Sequence, residues 1–590
     1  MKCFFTCLLF LLFISNQNAQ EYDDYLGAGH TNGITITSSH EESPANLCMN
    51  GNGLGKNLQE ASRFLSQATL GANLGEIIYA DSIGFENWIN QQFQIPPSSH
   101  AETLEELYDV ILVKWIEAGL DPEDLDVTAF FSRAAWWHVS TQTHDQLRHK
   151  IALALSELLV ISDQSDLEAF GKGLAHYYDI LSKNAFGNYR DLLMDVTLNP
   201  CMGFYLSHLN NPRSFPQFNI HPDENYAREI MQLFSIGLYE LNQDGTRKLD
   251  TDGLYIPTYD NNDIRGLAKI FTGLSVGDWV SEEITQDLQF GIPIVYADLT
   301  VPMIMYDDWH ETGPKEIVGN YLIPPGFSGM QDIEVAIEHL FNHPNVGPFL
   351  GKHFIQRLVK SNPSPAYIKR VAQAFEDNGN GERGDLKAVI KAVLLDPEAR
   401  NCIWIDEISN GKLREPIHRY TQLLRTFQVE TNTDYFINMG YNFQYLTGQH
   451  PLASPTVFNF FLPDYQPNGE IADAMLVAPE FQIFNSSTSI GYINLLQYWL
   501  FADYLNELPG ILDDDTGEWK AFLTADELDF IGERTSGLVD YLDLVLGHGN
   551  LSEETKRTII QFSAPFQSAQ DRIKVATFLT MLSPDFAIMK

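Results

Sequence analysis

Between His144 and Ser162 the chain reads HDQLRHKIALALSELLVIS, and this segment constrains the fold more than any other. Leu147, Ile151, Ala154, Leu155 and Leu158 recur at helical spacing and form one stripe, while Leu153 and Val160 make the opposite side apolar too. A helix that is apolar nearly all round has to be enclosed by other elements. The rest of the chain supplies them. Helical spacing of apolar residues begins at Leu58, Ala61, Phe64 and Leu65. It recurs over 84–93, 102–119, 184–197, 222–241, 262–273, 331–342, 347–360, 364–377, 385–395 and 414–428, and then over 486–504, 536–547, 552–563 and 568–581. One stretch, 275–306, alternates and is rich in β-branched residues, which predicts a small hairpin or extended excursion. No fixed-period repeat argues for a solenoid. The expected architecture is mainly α: one large multi-helical domain over 57–590 with that single excursion. A hydrophobic fraction of 44%, with 12% aromatics, is enough to fill its core.

The N-terminus follows a different logic. Lys2 precedes an apolar run from Leu8 to Ile14, and the small residue Ala19 follows shortly after. An apolar run of roughly a dozen residues fits a secretory signal, whereas a membrane span needs about 20. Residues 1–19 are therefore expected to be a signal peptide and 20–56, rich in Gly, Ser, Asn and Thr, a flexible leader. No later segment reads as a transmembrane span. The expected location is outside the cytoplasm, either periplasmic or extracellular. Cys48, Cys201 and Cys402 remain beyond the signal, which permits at most one disulfide and offers no zinc-type Cys-x-x-Cys pair.

Acidic residues outnumber basic ones by 78 to 37, a net charge of −41. Such a surface repels phosphate backbones and anionic lipid, so nucleic acid is excluded as a partner. It leaves open a divalent cation as cofactor.

Three polar clusters are the candidates for chemistry. In the helix expected from Asn225 to Leu241, the stripe Tyr226, Ile230, Leu233, Phe234, Gly237, Leu238 and Leu241 faces the core. Glu224, Arg228 and Ser235 lie opposite, with Glu229 at the boundary. Glu224 and Arg228, four apart, are either an ordinary surface ion pair or the wall of a cleft, with Glu224 or Glu229 as acid or base and Arg228 as an anion clamp. The loop Tyr306 to Lys315 is the densest cluster: Asp308, His310 and Glu311 form a candidate metal set, His310 is a further catalytic candidate, and Lys315 is a candidate substrate-binding cation. No His-Glu-x-x-His helix accompanies it. Asp244, Asp250, Asp252, Asp260 and Asp263 crowd a third segment, where turn formation and helix capping compete with cation binding; Asp263 is also a candidate for substrate binding. The glycine-rich run Asp377 to Asp385 lacks the Lys-Ser/Thr ending of a phosphate loop, and Asp385 reads as a helix N-cap.

Several of these segments fall within a wider pattern. Asp223 to Gly237 (DENYAREIMQLFSIG) resembles the central motif of the bacterial family called domain of unknown function 1800. Ala61 to Thr69, Ala152 to Glu157, Phe271 to Gly273, His310 to Lys315, Arg383 to Ala388 and Ser583 to Phe586 agree with it, in order, from about Leu58 to the C-terminus. Glu311 stands where that family more often has Asp. The resemblance implies an exported protein, often encoded beside a second exported protein that resembles alkaline phosphatases and sulfatases. It implies no reaction.

Two classes of function follow. An extracytoplasmic enzyme, hydrolase-like and acting on a polymeric or anionic substrate through carboxylate acid/base chemistry, predicts that Glu224, Arg228, Glu229, Asp263, His310 and Lys315 converge on one pocket. A non-catalytic binding or assembly protein, engaging a polysaccharide or another partner, predicts those residues scattered and paired off locally, with an exposed apolar or aromatic patch instead.

Overall fold

The structure is a computed structural model that describes residues 56–279, 290–401, 407–502, 504–513, 516–524, 531, 532 and 534–590. The expected signal peptide, nearly all of the leader, Cys48, Cys402 and the centre of the 275–306 excursion lie outside the described residues. The described chain is mainly helical, and its strands form only two-stranded antiparallel pairs. Among the described residues no helix is long and apolar enough to cross a membrane.

The central helix is where the apolar pattern puts it. It runs Gln146–Ser156, and every one of its residues is buried. It packs against the helices Lys56–Ala68, Phe85–Gln92, Gly171–Asn184 and Val346–Leu358. One continuous apolar core runs from Ala61 through Tyr226 and Leu350 to Phe586. A smaller core joins the helices His100–Glu117 and Ala129–Gln142 to Ile437, Leu508, Leu512 and Trp519. Capping boxes at Asn73/Glu76, Asp260/Asp263, Ser328/Gln331 and Asn485/Thr488 start four of the helices by satisfying otherwise orphaned N–H groups.

The ends of the 275–306 excursion pair as expected, Leu274 with Met305 and Ser275 with Ile304. A second pair, Lys315–Ile317 with Tyr321–Ile323, lies directly on the helix Asn261–Ile270. The approach is so close that a Cβ on Gly266 would overlap the carbonyl oxygen of Glu316. A third pair, Lys412–Leu413 with Ile588–Met589, ties the middle of the chain to its C-terminus.

One expected element is shorter than its pattern. The helix beginning at Asn225 ends at Gln232 rather than near Leu241. The Ser235 hydroxyl bonds the Ile230 carbonyl, and Gly237 turns the chain at φ +71°. The chain then forms a small extended arm, with Tyr239 opposite Pro257 and Leu241 opposite Arg247. Leu238 therefore leaves the core stripe and is half exposed.

The two sides of the Pro416–Thr426 helix face different spaces. Successive residues are about 100° apart, so His418 and Gln422 share one face and Tyr420 points the opposite way.

Candidate functional site

The residues singled out by sequence fall into two groups that share no ion pair among the described residues. Glu224 lies 3.6 Å from Arg228 and 3.8 Å from Arg265, in an exposed network. Glu229, by contrast, is buried, and burial pushes its carboxyl pKa upward against the pull of Arg228. Asp263 closes the capping box of its own helix by accepting from the Asp260 N–H. Burial raises its pKa too.

The second group faces inward. His310 Nδ1 is 2.8 Å from the Thr272 carbonyl, and its Nε2 is 2.9 Å from Asp332 Oδ2. Lys315 Nζ donates to that same oxygen, and all three side chains are buried. The nearby segments do touch through the 211–214 loop, where the Asp223 N–H bonds Asn211 Oδ1 and the Arg213 N–H bonds the Trp309 carbonyl. None of the ion pairs among the described residues links one group to the other. As for the metal set, His310 has both ring nitrogens engaged, Glu311 accepts from the Ser214 N–H, and Asp308 is exposed. Among the described residues, no three His, Cys, Asp or Glu side chains are placed to hold a metal ion. The acidic segment behaves as turns and caps: Asp244 accepts from the Thr246 N–H, and Asp250 from those of Asp252 and Leu254.

Two other places concentrate unusual chemistry. The first is a buried ionic centre on the His418 side of the Pro416–Thr426 helix. Lys412 bridges Glu415 at 3.0 Å and Glu480 at 3.1 Å, and Arg357 pairs with Glu157 at 2.7 Å. Gln449 donates to both Glu415 and Glu157. Burial resists ionisation of Glu415, but Lys412, His418 and Arg357 more than offset it, so its carboxyl stays well below the usual range. For Glu157, burial and the neighbouring Glu415 charge act together and push its pKa well above that range. The two carboxyls are thus pushed in opposite directions, Glu415 toward the charged form and Glu157 away from it. Lys150 Nζ is 2.8 Å from His418 Nε2, and burial lowers its pKa to about 7. Lys150 and His418 line a narrow crevice together with Ser62, Lys412, Arg414, Gln422 and His548.

The lowered pKa of Lys150 has a stability consequence. Above its unfolded pKa the side chain is neutral in both states. As pH falls from about 10.5 toward about 7, the unfolded chain takes up a proton that the folded chain refuses. This group therefore weakens the fold at neutral pH and relieves it as pH rises. Lys150→Met is expected to flatten that part of the stability profile, read as urea midpoints at pH 7 and pH 9. A variant whose midpoints move between the two pH values as the parent's do would contradict the lowered pKa.

The second place is an open cleft of 560 Å3 on the Tyr420 side of the same helix. Volumes of about 300–1,000 Å3 are typical of ligand sites. Its floor is an aromatic stack, with Tyr420 over Trp499 at 4.1 Å and Phe443 beside Tyr420 at 5.5 Å. Its rim carries Tyr445, Tyr498 and Tyr504, which are 86%, 54% and 44% exposed. Polar groups come from Asn442, Asn494 and Glu507. Asn442 holds the Glu507 carboxylate from both its backbone N–H and its side-chain amide, at 2.9 and 3.0 Å. Burial nevertheless pushes the Glu507 pKa upward.

A family model described as "Protein of unknown function (DUF1800)" matches residues 63–588. The chain belongs to the DUF1800 family. No curated protein and no solved structure matches it. The DUF1800 match takes in both the ionic centre and the tyrosine cleft, neither of which stood out from residue spacing. Two signals were present in this DUF1800 sequence. Lys150 sits with Arg148 and His149 inside a helix that is buried on every side, and Tyr498 sits four residues after Asn494 on the exposed face of Ser486–Phe501.

Proposed function

We propose that this DUF1800 protein is an exported, extracytoplasmic protein that binds a polymeric carbohydrate in the cleft between Tyr445, Tyr498 and Tyr504. The observation that carries the reading is the cleft itself: three exposed phenol rings around an open, ligand-sized space with planar amides and a carboxyl inside. A tyrosine ring offers a large apolar face with little conformational freedom to lose, and it keeps a polar tip in water. The C–H face of a sugar ring complements that surface, and its hydroxyls complement Asn442, Asn494 and Glu507. Net charge of −41 points to a neutral or cationic polymer rather than an acidic one. The signal-like N-terminus, Lys2 followed by Leu8 to Ile14, supports export to a compartment where such polymers occur.

A second reading, hydrolysis, is favoured by one feature. Glu507 has a raised pKa, as a proton donor to a glycosidic oxygen requires. The test separates the two. Affinity electrophoresis of the purified chain in gels containing neutral glucans, xylan or chitosan should show retardation by at least one polymer. Tyr498→Ala and Tyr445→Ala should each weaken that binding about tenfold, the equivalent of ~1.4 kcal/mol. Glu507→Gln should keep binding in either case; release of reducing ends by the parent and not by this variant identifies an enzyme. Unretarded migration in every polymer ends the proposal.

A further inference from the structure

The crevice on the opposite face of the Pro416–Thr426 helix displays cationic charge that the chain does not balance. Arg414 is buried and donates to Gln422 Oε1 and to the Leu546 carbonyl, while its Nε has no hydrogen-bond partner. From Gln422 the donors run in one direction: its Nε2 toward His548 Nε2 at 3.3 Å, His548 Nδ1 toward Ser62 Oγ at 2.6 Å, and Ser62 Oγ to the Leu544 carbonyl. This order leaves His548 neutral and gives Arg414 only neutral acceptors. It also directs the Ser62 proton to a main-chain carbonyl, so Ser62 is not prepared as a nucleophile.

Lys150 lines the same crevice, and burial leaves its amine uncharged until pH falls toward about 7. Its close partner is His418, and among the described residues neither Lys150 nor Arg414 has a carboxylate within ion-pair distance. Glu415, which acts on Lys150 electrostatically, is committed to Lys412. An arginine cannot shed its proton inside a protein, and a buried charge without a counter-charge is strongly disfavoured. Lys150 and Arg414 both line a void of about 20 Å3. One water-sized sphere needs roughly 10–15 Å3.

We infer that the crevice between Lys150, Arg414 and His418 binds a single small monovalent anion, a halide such as chloride. A space of about one water-sized sphere suits a monatomic ion. Seated there, the ion faces the Arg414 guanidinium and the Lys150 amine and supplies the counter-charge that Arg414, with only neutral acceptors, lacks. The Lys56–Ala68 and Pro416–Thr426 helices both contribute to the lining of the site.

The test uses the full chain. Thermal midpoints are compared in sodium chloride, sodium bromide and sodium gluconate at matched ionic strength. Chloride and bromide should raise the midpoint along a saturating curve, by several degrees at 100-fold excess over Kd, and gluconate should not. Crystals grown in bromide should show an anomalous peak between Lys150 Nζ and Arg414. Arg414→Met should lose the halide response, and the bromide peak in the parent is an independent readout that requires no variant to fold. A midpoint that follows ionic strength equally in all three salts overturns the inference, as does a crevice without bromide in the anomalous map.

Discussion

Asp332→Ala should lower the unfolding free energy by ~3–5 kcal/mol, the usual consequence of removing one partner from a buried ion pair. Asp332 is fully buried, and its Oδ2 receives both His310 Nε2 and Lys315 Nζ. Without it, a lysine that is 2% exposed is left in the interior with its counter-charge gone. The strand carrying Lys315 is pinned to the helix Asn261–Ile270 at Gly266, so the lysine cannot swing out without separating the two. Lys315→Met added to Asp332→Leu should recover most of the loss, because an apolar pair of similar volume removes the stranded charge. Urea denaturation of the single and double variants measures both effects. A loss below about 1 kcal/mol for the single change would mean that water reaches the triad.

Glu415→Ala should be as damaging, again ~3–5 kcal/mol, for a different arrangement of charges. Glu415 carries the negative charge of the ionic centre, contacting Lys412 at 3.0 Å and Gln449 at 2.7 Å. Removing it leaves Lys412 to Glu480, whose own pKa is raised by burial. The pH dependence follows from the depressed pKa. Above the ordinary glutamate range Glu415 is ionised in both states, and its stabilisation is fully present. As pH falls through that range the unfolded chain protonates first and the advantage shrinks. Parent and variant should therefore converge in stability as pH drops from 7 toward 3. A difference between them that stays constant over that interval would show that Glu415 does not carry the charge.

Periodicity located much of the helical framework, including the buried Gln146–Ser156 helix, because a stripe or a fully apolar surface is a local property. The helices Ala129–Gln142 and Gly171–Asn184 were not anticipated. The first is buried on nearly every side, with Arg133, Ser132, Ser140 and Thr141 interrupting its apolar pattern, and the second opens with two glycines. The overrun of the Asn225 helix has a local cause as well. Gly237 was counted as part of an apolar stripe, whereas in the fold it is the residue that turns the chain away.

The sites were harder to read for a reason of distance. Glu224 and Arg228 are four residues apart, and their pairing is legible as spacing. Lys150 and Glu157, in contrast, meet groups at Arg357, Lys412, Glu415, His418 and Gln449, some 200 to 300 positions further on. No periodic pattern encodes such a meeting. The same holds for His310 and Lys315, whose partner Asp332 sits on the buried side of the Gly329–Phe341 helix. The cleft combines the Tyr441–Thr447 helix with the Ser486–Phe501 helix, and its tyrosines become a rim only when those two pack together.

The Pro416–Thr426 helix is a partition between two compartments, with Tyr420 flooring one and His418 lining the other. A close-packed rod of this length moves as a unit. Whatever settles against the phenol side and displaces that rod also alters the spacing of nitrogens on the basic side, and thermodynamic linkage makes the influence equal in both directions. Salt composition would then register in polymer affinity, and polymer loading in halide retention, without the two ligands ever touching.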